Sequence, residues 1–530
     1  MTEYSIGIDL GTTYSCLAYI DEDGNPVVEK NFEQEDTTPS VILFNDNGEI
    51  IVGSPAKDMA IMYDEERTIT AIKRQMGDEN VTFNIDGETY NPTMLSAVIL
   101  RKIINDFNEN HGCDLKKAVI TCPAYFGQNE RDATKTAGNI AGLEDVTIIN
   151  EPTAAAISFG FGDKDGGKKR VMVYDLGGGT FDVTIHEIDG SSFIAVATDG
   201  ERWLGGKNWD AALSNIIKEK AAEISGVDID TINEDADIKL SLINDSETIK
   251  KRLSTAESTK GTLTVDGKKV VYTITREEFE AATAPDLERT IETMDRVLAS
   301  KNFTIDDIDQ IILVGGSSRM PQVKNAITAH FPTAELKLFD PAQSVAKGAA
   351  LFCKSNDAAA AVAPVTNPET GEVEQPAEPA EGVLTVHNVL SKTFGIKAFY
   401  EDNVEKISNI IFRNEVLPIE AVKTYYPENE GQDSILVEVY EDEAVNDDEG
   451  RTTELIEGHK IGDFEMRLPM DITKDTPIKV KFVATDEGIL HVDVDCMDEH
   501  TEYEIENDLK MSAEEISKAQ GLVERVTNGN

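Results

Sequence analysis

Two stretches of the chain share one plan: an apolar strand, Asp-Leu-Gly, small residues ending in Thr, and a second strand. The first is Ile6-Gly7-Ile8-Asp9-Leu10-Gly11-Thr12-Thr13, continuing through residues 15–20. The second is Val171-Met172-Val173-Tyr174-Asp175-Leu176-Gly177-Gly178-Gly179-Thr180, continuing through residues 181–185. Each reads as strand–turn–strand, with glycines that let backbone N–H groups come close to an anion. A lone triple glycine is a turn more often than a site. Two matched hairpins, with Asp9 and Asp175 in equivalent places, point to a duplicated phosphate clamp. Neither matches the common glycine-rich signatures: Gly179 is followed by Thr180-Phe181 instead of Lys-Ser/Thr, and Gly160-Phe161-Gly162 lacks a third glycine. A third stretch, Ile311-Ile312-Leu313-Val314-Gly315-Gly316-Ser317-Ser318-Arg319-Met320-Pro321, is a buried strand ending in a diglycine before a helix after Pro321. A flat ring could stack on that open backbone, although such joins are common in α/β proteins.

The elements that hold these residues change along the chain. Up to about residue 355, β-branched runs alternate with amphipathic helical stretches, as in an α/β protein. Residues 357–382 then bring four prolines, several glutamates and no aromatic or basic residue. Such a stretch buries too little apolar surface to offset its ordering entropy and reads as a mobile linker. Beyond it the period is two: residues 436–440 alternate, and Ile478, Val480, Phe482 are followed by Asp486-Glu487-Gly488 and then Leu490, Val492, Val494. This is a hairpin in a mostly antiparallel domain. Ser512 with Glu515 is a capping box opening a last short helix, with Ile516, Ala519, Val523 and Val526 on one face.

The 530 residues, with 40% hydrophobic and 28% charged side chains, suit about three or four globular units. A net charge of −50 disfavours nucleic acid and anionic lipid as partners, since phosphate binding needs clustered cations. No apolar run approaches the roughly 18 residues of a membrane span. The N-terminus carries acid before a strand-like run and does not read as a signal peptide. Five scattered cysteines without a CxxC fit cytoplasmic thiols better than a disulfide framework or a zinc site.

Two Asp-Leu-Gly hairpins with a Val-Gly-Gly strand resemble the actin, sugar-kinase and heat-shock ATPase superfamily. Further stretches narrow the likeness: Thr37-Thr38-Pro39-Ser40, Ala71-Ile72-Lys73-Arg74, Pro123-Ala124-Tyr125-Phe126, Asn150-Glu151-Pro152-Thr153-Ala154-Ala155-Ala156, and residues 247–254. Together these resemble the seventy-kilodalton heat-shock chaperones of the DnaK type. Thr393-Phe394-Gly395-Ile396 and Asp486-Glu487-Gly488-Ile489-Leu490-His491-Val492 resemble that family's β-sandwich. The resemblance implies an α/β, actin-like (duplicated ribonuclease H-like) ATPase domain over 1–355 and a linker over 356–382. It then implies an antiparallel peptide-binding β-sandwich over 383–506, and a helical stub over 507–530 in place of a lid. It further implies an ATP-dependent chaperone whose affinity for exposed apolar segments of unfolded proteins follows ATP binding and hydrolysis.

Residue by residue, Asp9 and Asp175 would face one Mg²⁺ through water, since that cation keeps much of its hydration. Gly11, Thr12, Thr13, Gly177, Gly178, Gly179 and Thr180 would offer donors to the β- and γ-phosphates of ATP or ADP. Lys73 would stand beside the γ-phosphate and attacking water, and a K⁺ ion is compatible with the likeness. Glu151 is either the group that orients or deprotonates the water or a first-turn Glu favouring the helix dipole. Glu247, Lys250, Lys251 and Ser254, at i, i+3, i+4 and i+7, would clasp adenosine with Gly315, Gly316, Ser317 and Arg319; a solvated ion-pair face is the alternative. Pro123 and Arg131 match positions that relay nucleotide state, or simply pack. Ile396, Phe399, Tyr426 and Leu436 are the peptide-pocket candidates, or plain sandwich core.

The chain departs from the family in four places. The stretch from Arg74 to Ala118 is short, so one lobe is reduced. The long Ala/Pro/Glu linker precedes Val383-Leu384-Thr385-Val386-His387-Asn388, which keeps strand-like alternation but has no acid nearby. Thr147 stands where DnaK-type members carry a J-domain-docking arginine, which leaves a J-domain partner and a nucleotide exchange factor as expectations of the family only. The sequence stops where the lid would begin. The rival reading is a dedicated ATP-dependent reactivase or assembly factor for one partner enzyme.

Overall fold

The computed structural model describes residues 4–78, 80–162, 167–361, 365–366, 373–374, 383–400, 404–446, 450–504 and 511–527. Both Asp-Leu-Gly segments form antiparallel hairpins: Ile6–Asp9 pairs with Tyr14–Ile20, and Lys169–Leu176 with Phe181–Asp189. In each case the first strand also takes a parallel neighbour, and that neighbour takes another. These are Lys117–Cys122 then Asp145–Asn150 in the first lobe, and Gln310–Val314 then Glu335–Leu338 in the second. Pro26–Val28 and Ser192–Glu201 complete the equivalent antiparallel side. The two sheets therefore repeat one strand order, and the duplication extends well beyond the two aspartates. Strands such as Gln310–Val314 are buried at every position, as parallel strands covered on both faces require.

Helices Glu151–Gly162 and Ser344–Ala361 pack between these sheets at backbone contact distance. A Cβ placed on Gly348 would lie 1.7 Å from the Ala154 carbonyl oxygen, and one on Gly7 would lie 2.2 Å from the Ala350 nitrogen. The alanines of both helices are what allow the approach. Ser344–Ala361 also runs past residue 355, because Asp357 and the following alanines suit a helix and Asp357 accepts from Ser5 Oγ at 2.7 Å and Lys117 Nζ at 2.8 Å. Val365–Thr366 pairs with Val373–Glu374 within the stretch read as linker. The rest of that stretch, residues 362–364, 367–372 and 375–382, lies outside the described residues. Past it, Thr385–His387 adds a parallel strand to Ser192–Glu201, with Leu384 and Val386 packed on the core, as their alternation suggests.

The period-two region forms two sheets. One has the order Thr452–Glu454, Val404–Ile411, Thr393–Tyr400, Ser434–Asp442, His459–Arg467; the other is Ile419–Tyr425, Ile478–Ala484, Leu490–Cys496, Glu499–Glu504. Their facing side chains, among them Val437, Val439, Phe482 and Val492, make one apolar core. Gly488, at φ 81°, closes the expected hairpin turn. Ser512 and Glu515 make the expected capping box, and the helix runs Ala513–Val523. Its apolar face does not stand free: Ala519, Leu522 and Val523 join the first lobe's core, and Val526–Thr527 pairs in parallel with Ile50–Val52. Among the described residues no helix is long and apolar enough to cross a membrane.

Because Gly348 meets the Ala154 carbonyl with no room for a methyl group, Gly348→Ala is expected to destabilise the first domain by about 1–3 kcal/mol. Thermal melting followed by circular dichroism checks this; an unchanged first transition would mean that the helices separate at no cost.

Candidate functional site

The two hairpins meet at the floor of a cleft of about 950 Å³ between the lobes. They touch each other: a Cβ on Gly178 would lie 1.9 Å from Thr13 Oγ1, and one on Gly179 would lie 2.3 Å from Thr12 Cγ2. The glycines are thus required by the approach of one hairpin to the other. The second hairpin is tied down by Gly206 N and Ser317 Oγ donating to the Gly177 carbonyl at 3.0 and 2.9 Å, and by Lys207 N donating to Gly178 O at 2.8 Å. The first is tied by Ser40 Oγ, which donates to Gly11 O at 2.7 Å. Thr13 Oγ1 is buried and has no hydrogen-bond partner among the described residues, so a phosphate oxygen there would satisfy a group now costing free energy.

Lys73 enters from a short 3₁₀ turn, Ile72–Gln75, and its buried ammonium contacts the buried Glu151 carboxylate at the start of the Glu151–Gly162 helix. Burial opposes the Lys73 charge, but Glu151 and Asp9 outweigh it and hold the ammonium above its usual range. The neighbouring acids fare worse. Burial, then the Glu151 charge, pushes Asp9 up to about 7, and the same two causes, in that order, raise Asp175 and Asp182 well above the carboxylate range. Asp9, Glu151, Asp175 and Asp182 therefore crowd one ammonium with more negative charge than it neutralises. Such a donor set fits a hard divalent cation. Among the described residues no three His, Cys, Asp or Glu side chains close into an all-protein metal cage.

At the other end of the cleft Glu247 accepts from Tyr14 Oη at 2.9 Å and Lys57 Nζ at 2.6 Å, and pairs with Lys251 at 2.8 Å. Burial would raise its pKa, but the hydrogen bonds from Lys251 and Lys57 hold it down at about 2. Glu247 is thus both a member of a helical ion-pair face and a bridge between lobes. Lys250 donates to Gly206 O at 2.9 Å and pairs with Asp210. Gly315 has φ 78° and sits where a side chain would strike the Leu176 carbonyl, while Gly316 and Arg319 are exposed at the rim. The cleft brings together Asp9, Gly11, Thr12, Thr13, Lys73, Glu151, Asp175, Gly177, Gly178, Thr180, Glu247, Lys250, Lys251, Ser254, Gly315, Gly316, Ser317 and Arg319. Gly179 stands apart: it packs on Thr12, and its carbonyl accepts from Arg74 Nε at 2.8 Å. Tyr14, Lys57 and Asp182 were not singled out from the sequence, and no local pattern marks them: Lys57 and Glu247 are 190 residues apart.

Comparison with known proteins follows the same lines. A family model described as Hsp70 protein matches residues 5–82 and 77–528. The Chaperone protein DnaK of Thermosipho africanus is 37% identical over 498 residues, covering 92% of this chain and 77% of that protein. That of Thermotoga maritima is 37% identical over 92% of this chain and 78% of its own length. The chain belongs to the Hsp70 family.

As an Hsp70-family member it binds ATP or ADP and is an ATPase. The sandwich leans on both of its lobes. Asn388, standing where the acid is missing, accepts from Thr153 Oγ1 at 2.9 Å and Asn150 Nδ2 at 3.4 Å, and Asn150 Oδ1 accepts from Arg131 at 2.7 Å. Lys135 pairs with Glu487, and Asn414 Oδ1 accepts from Thr198 N at 2.8 Å. Arg131 thus sits between Asn150, at the end of the Asp145–Asn150 strand, and the sandwich, while Thr147 is part of the same strand. The four peptide-pocket candidates divide between core and surface. Ile396 faces the sandwich core beside Val439, whereas Phe399, Tyr426 and Leu436 are 55%, 62% and 57% exposed. Successive strand residues point to opposite faces, and it is Tyr425 and Ile435, one position earlier, that pack against the core with Ile396.

The acidic crowding sets site chemistry against stability. Asp175→Asn is expected to raise the nucleotide-free melting midpoint by about 2–4 °C while shrinking the further rise given by magnesium and ATP. Thermal melting with and without the ligand measures both; a lowered nucleotide-free midpoint would show that the carboxylate does not oppose folding.

Proposed function

We propose that the chain is an ATP-dependent chaperone that binds exposed apolar segments of unfolded polypeptides and releases them under control of ATP binding and hydrolysis. The observation that carries this reading is the contact of two glycine hairpins under a buried Lys73–Glu151 pair, in a chain whose sandwich rests on the same lobes. The relatives named Chaperone protein DnaK support it and do not favour a dedicated reactivase or assembly factor. The working domains are an actin-like ATPase whose last helix ends at Ala361, a linker from there to residue 382, a peptide-binding sandwich over 383–506 and the C-terminal segment over 507–530.

Asp9 and Asp175 would hold Mg²⁺, which would neutralise phosphate charge there. Thr12, Thr13, Thr180 and the backbone of Gly11, Gly177, Gly178 and Gly179 cradle the phosphates. Lys73 places a positive charge at the transferred phosphoryl group, and Glu151 orients the attacking water or takes its proton. Glu247, Lys250, Lys251 and Ser254 face Gly315, Gly316, Ser317 and Arg319 across adenosine. A K⁺ ion would share the same acidic floor. Phe399, Tyr426 and Leu436 are available to an apolar peptide, with Ile396 in the core beneath. J-domain and exchange-factor partners and a cytoplasmic setting remain parts of this proposal.

Binding of a labelled apolar peptide in ATP and in ADP, for the protein and for Lys73→Ala, tests the reading. ATP is expected to weaken binding at least about tenfold, a difference of some 1.4 kcal/mol, and to do so in Lys73→Ala as well. Equal affinity in both nucleotides would leave only constitutive binding.

A second test uses Glu441, buried where the sandwich meets Gly127. Burial and the Glu130 carboxylate, partly offset by Lys392 and reinforced by Glu443 and Asp442, push it up to about 8. Its docked form therefore favours the protonated acid. The docking free energy it contributes is complete below the ordinary Glu range, near 4.5, and is lost as pH rises through about 8. The protection factor of the Thr385–His387 strand, its exchange rate corrected for the intrinsic rise of amide exchange with pH, is expected to fall over that window and to stay level in Glu441→Gln. A protection factor independent of pH in the unaltered protein would contradict this.

A further inference from the structure

Two arginines cross the cleft in opposite directions beside Lys73. Arg74, from the first lobe, donates to Gly179 O of the second hairpin at 2.8 Å and to Asn208 Oδ1 at 3.3 Å. Arg202, just after the Ser192–Glu201 strand of the second lobe, reaches back. Its Nε donates to Arg74 O at 2.8 Å, one Nη to Met76 O at 2.7 Å, and the other to Glu130 Oε1 at 3.0 Å. Arg74 and Met76 close the short turn that carries Lys73, where terminal carbonyls have no partner of their own. The half-exposed Trp203 ring lies beside both guanidinium groups, 5.6 Å from Arg74 and 5.9 Å from Arg202.

We propose that Arg202 and Trp203 form a latch that holds the Lys73 turn against the second phosphate hairpin, so that Arg202 is a positioning residue for ATP hydrolysis. Arg202 reaches Lys73 through the backbone of the same turn, with the carbonyls on either side of Gln75 gripped by one planar fork. A lysine could satisfy those three acceptors only one geometry at a time. Trp203 keeps the two like charges of Arg74 and Arg202 in register by giving each a π face. The latch closes only when the lobes close, because its donors and acceptors come from opposite sides of the cleft. Lys73 thereby takes its working position together with the second hairpin instead of ahead of it. Glu130, the third acceptor, stands against the sandwich residue Glu441 near Gly127, so the latch is anchored where the sandwich docks.

The proposal rests on the ATPase site reading, and the experiment separates the two. Single-turnover hydrolysis of bound ATP by the full chain is expected to fall at least about tenfold in Arg202→Ala, with the ATP dissociation constant changed less than about threefold. Trp203 and Trp209 are the two tryptophans of the chain, and Trp209 is fully buried. Emission lost in Trp203→Phe therefore reports the latch. It is expected to change when ATP is added, and not to change in Arg202→Ala. Wild-type turnover in Arg202→Ala, a rate loss matched by an equal loss of ATP affinity, or Trp203 emission indifferent to ATP would each overturn the latch. If Arg202→Ala does not melt cooperatively, Arg202→Lys is held to the same criteria. Lys73→Ala, run alongside, must abolish hydrolysis; normal turnover there overturns the site reading and with it the role of Arg202, while the emission arm shows whether the lobes still close.

Discussion

The cleft is organised around one buried ammonium that its neighbours need more than it needs them. Lys73 has the Glu151 contact and the Asp9 field, which together keep it charged in spite of burial. Asp9, Asp175 and Asp182 have no comparable compensation and are driven toward protonation first by desolvation and then by the Glu151 charge. A site left in that state is destabilised in proportion to its acidity, and the free energy is recovered when cations arrive with a polyphosphate. On the proposed reading, affinity for a magnesium nucleotide and strain in its absence are two aspects of one arrangement. The rest of the first domain serves to place two hairpins from separate lobes close enough to share that charge.

That closeness is a backbone property. Gly178 and Gly179 meet Thr13 and Thr12, and Gly205 meets the Gly179 backbone, at distances no Cβ could occupy. Gly7 and Gly348 do the same one layer further out, where the two alanine-rich helices pass between the sheets. The consequence is a cleft whose floor does not depend on side-chain rotamers. The adjustable parts lie at its ends: Tyr14, Lys57 and Glu247 on one side, Arg74 and Arg202 on the other.

What could be read from the sequence was whatever the chain repeats locally. Both hairpins, the Gly315-Gly316 turn, the Asp486-Glu487-Gly488 hairpin and the Ser512 capping box follow from period and turn chemistry, and all are present. Links between distant residues left no such trace. Lys57 is an ordinary lysine until Glu247 faces it, and Arg202 an ordinary arginine until the Lys73 turn ends beneath it. The helix past residue 355 was obscured by prolines that begin only at Pro364, so composition averaged over residues 357–382 hid the five that are helical. In the sandwich, a period of two separates a core face from an exposed one: Ile435 and Tyr425 pack on the core, while Leu436 and Tyr426 are exposed.

The junction between sandwich and lobes departs from a charge-based design at its most buried point. Asn388 is neutral, and the groups it meets, Thr153, Asn150 and behind Thr153 the buried His186, are neutral too. Burial holds His186 down at about 3, so the imidazole adds no charge to this chain of hydrogen bonds. Neutral bonds avoid the desolvation that a buried ion pair must recover, and salt does not screen them as it does exposed pairs. Of the charged contacts across the junction, Lys135 with Glu487 is about a third exposed and worth little alone, whereas Arg413 with Asp199 is mostly buried. In a chain carrying a net charge of −50, the neutral Asn388 contact lets the domains separate without stranding an unpaired charge at that point. Such a junction can be broken and remade in every cycle, and a cycle of that kind is what the ATP-controlled release of a bound segment demands.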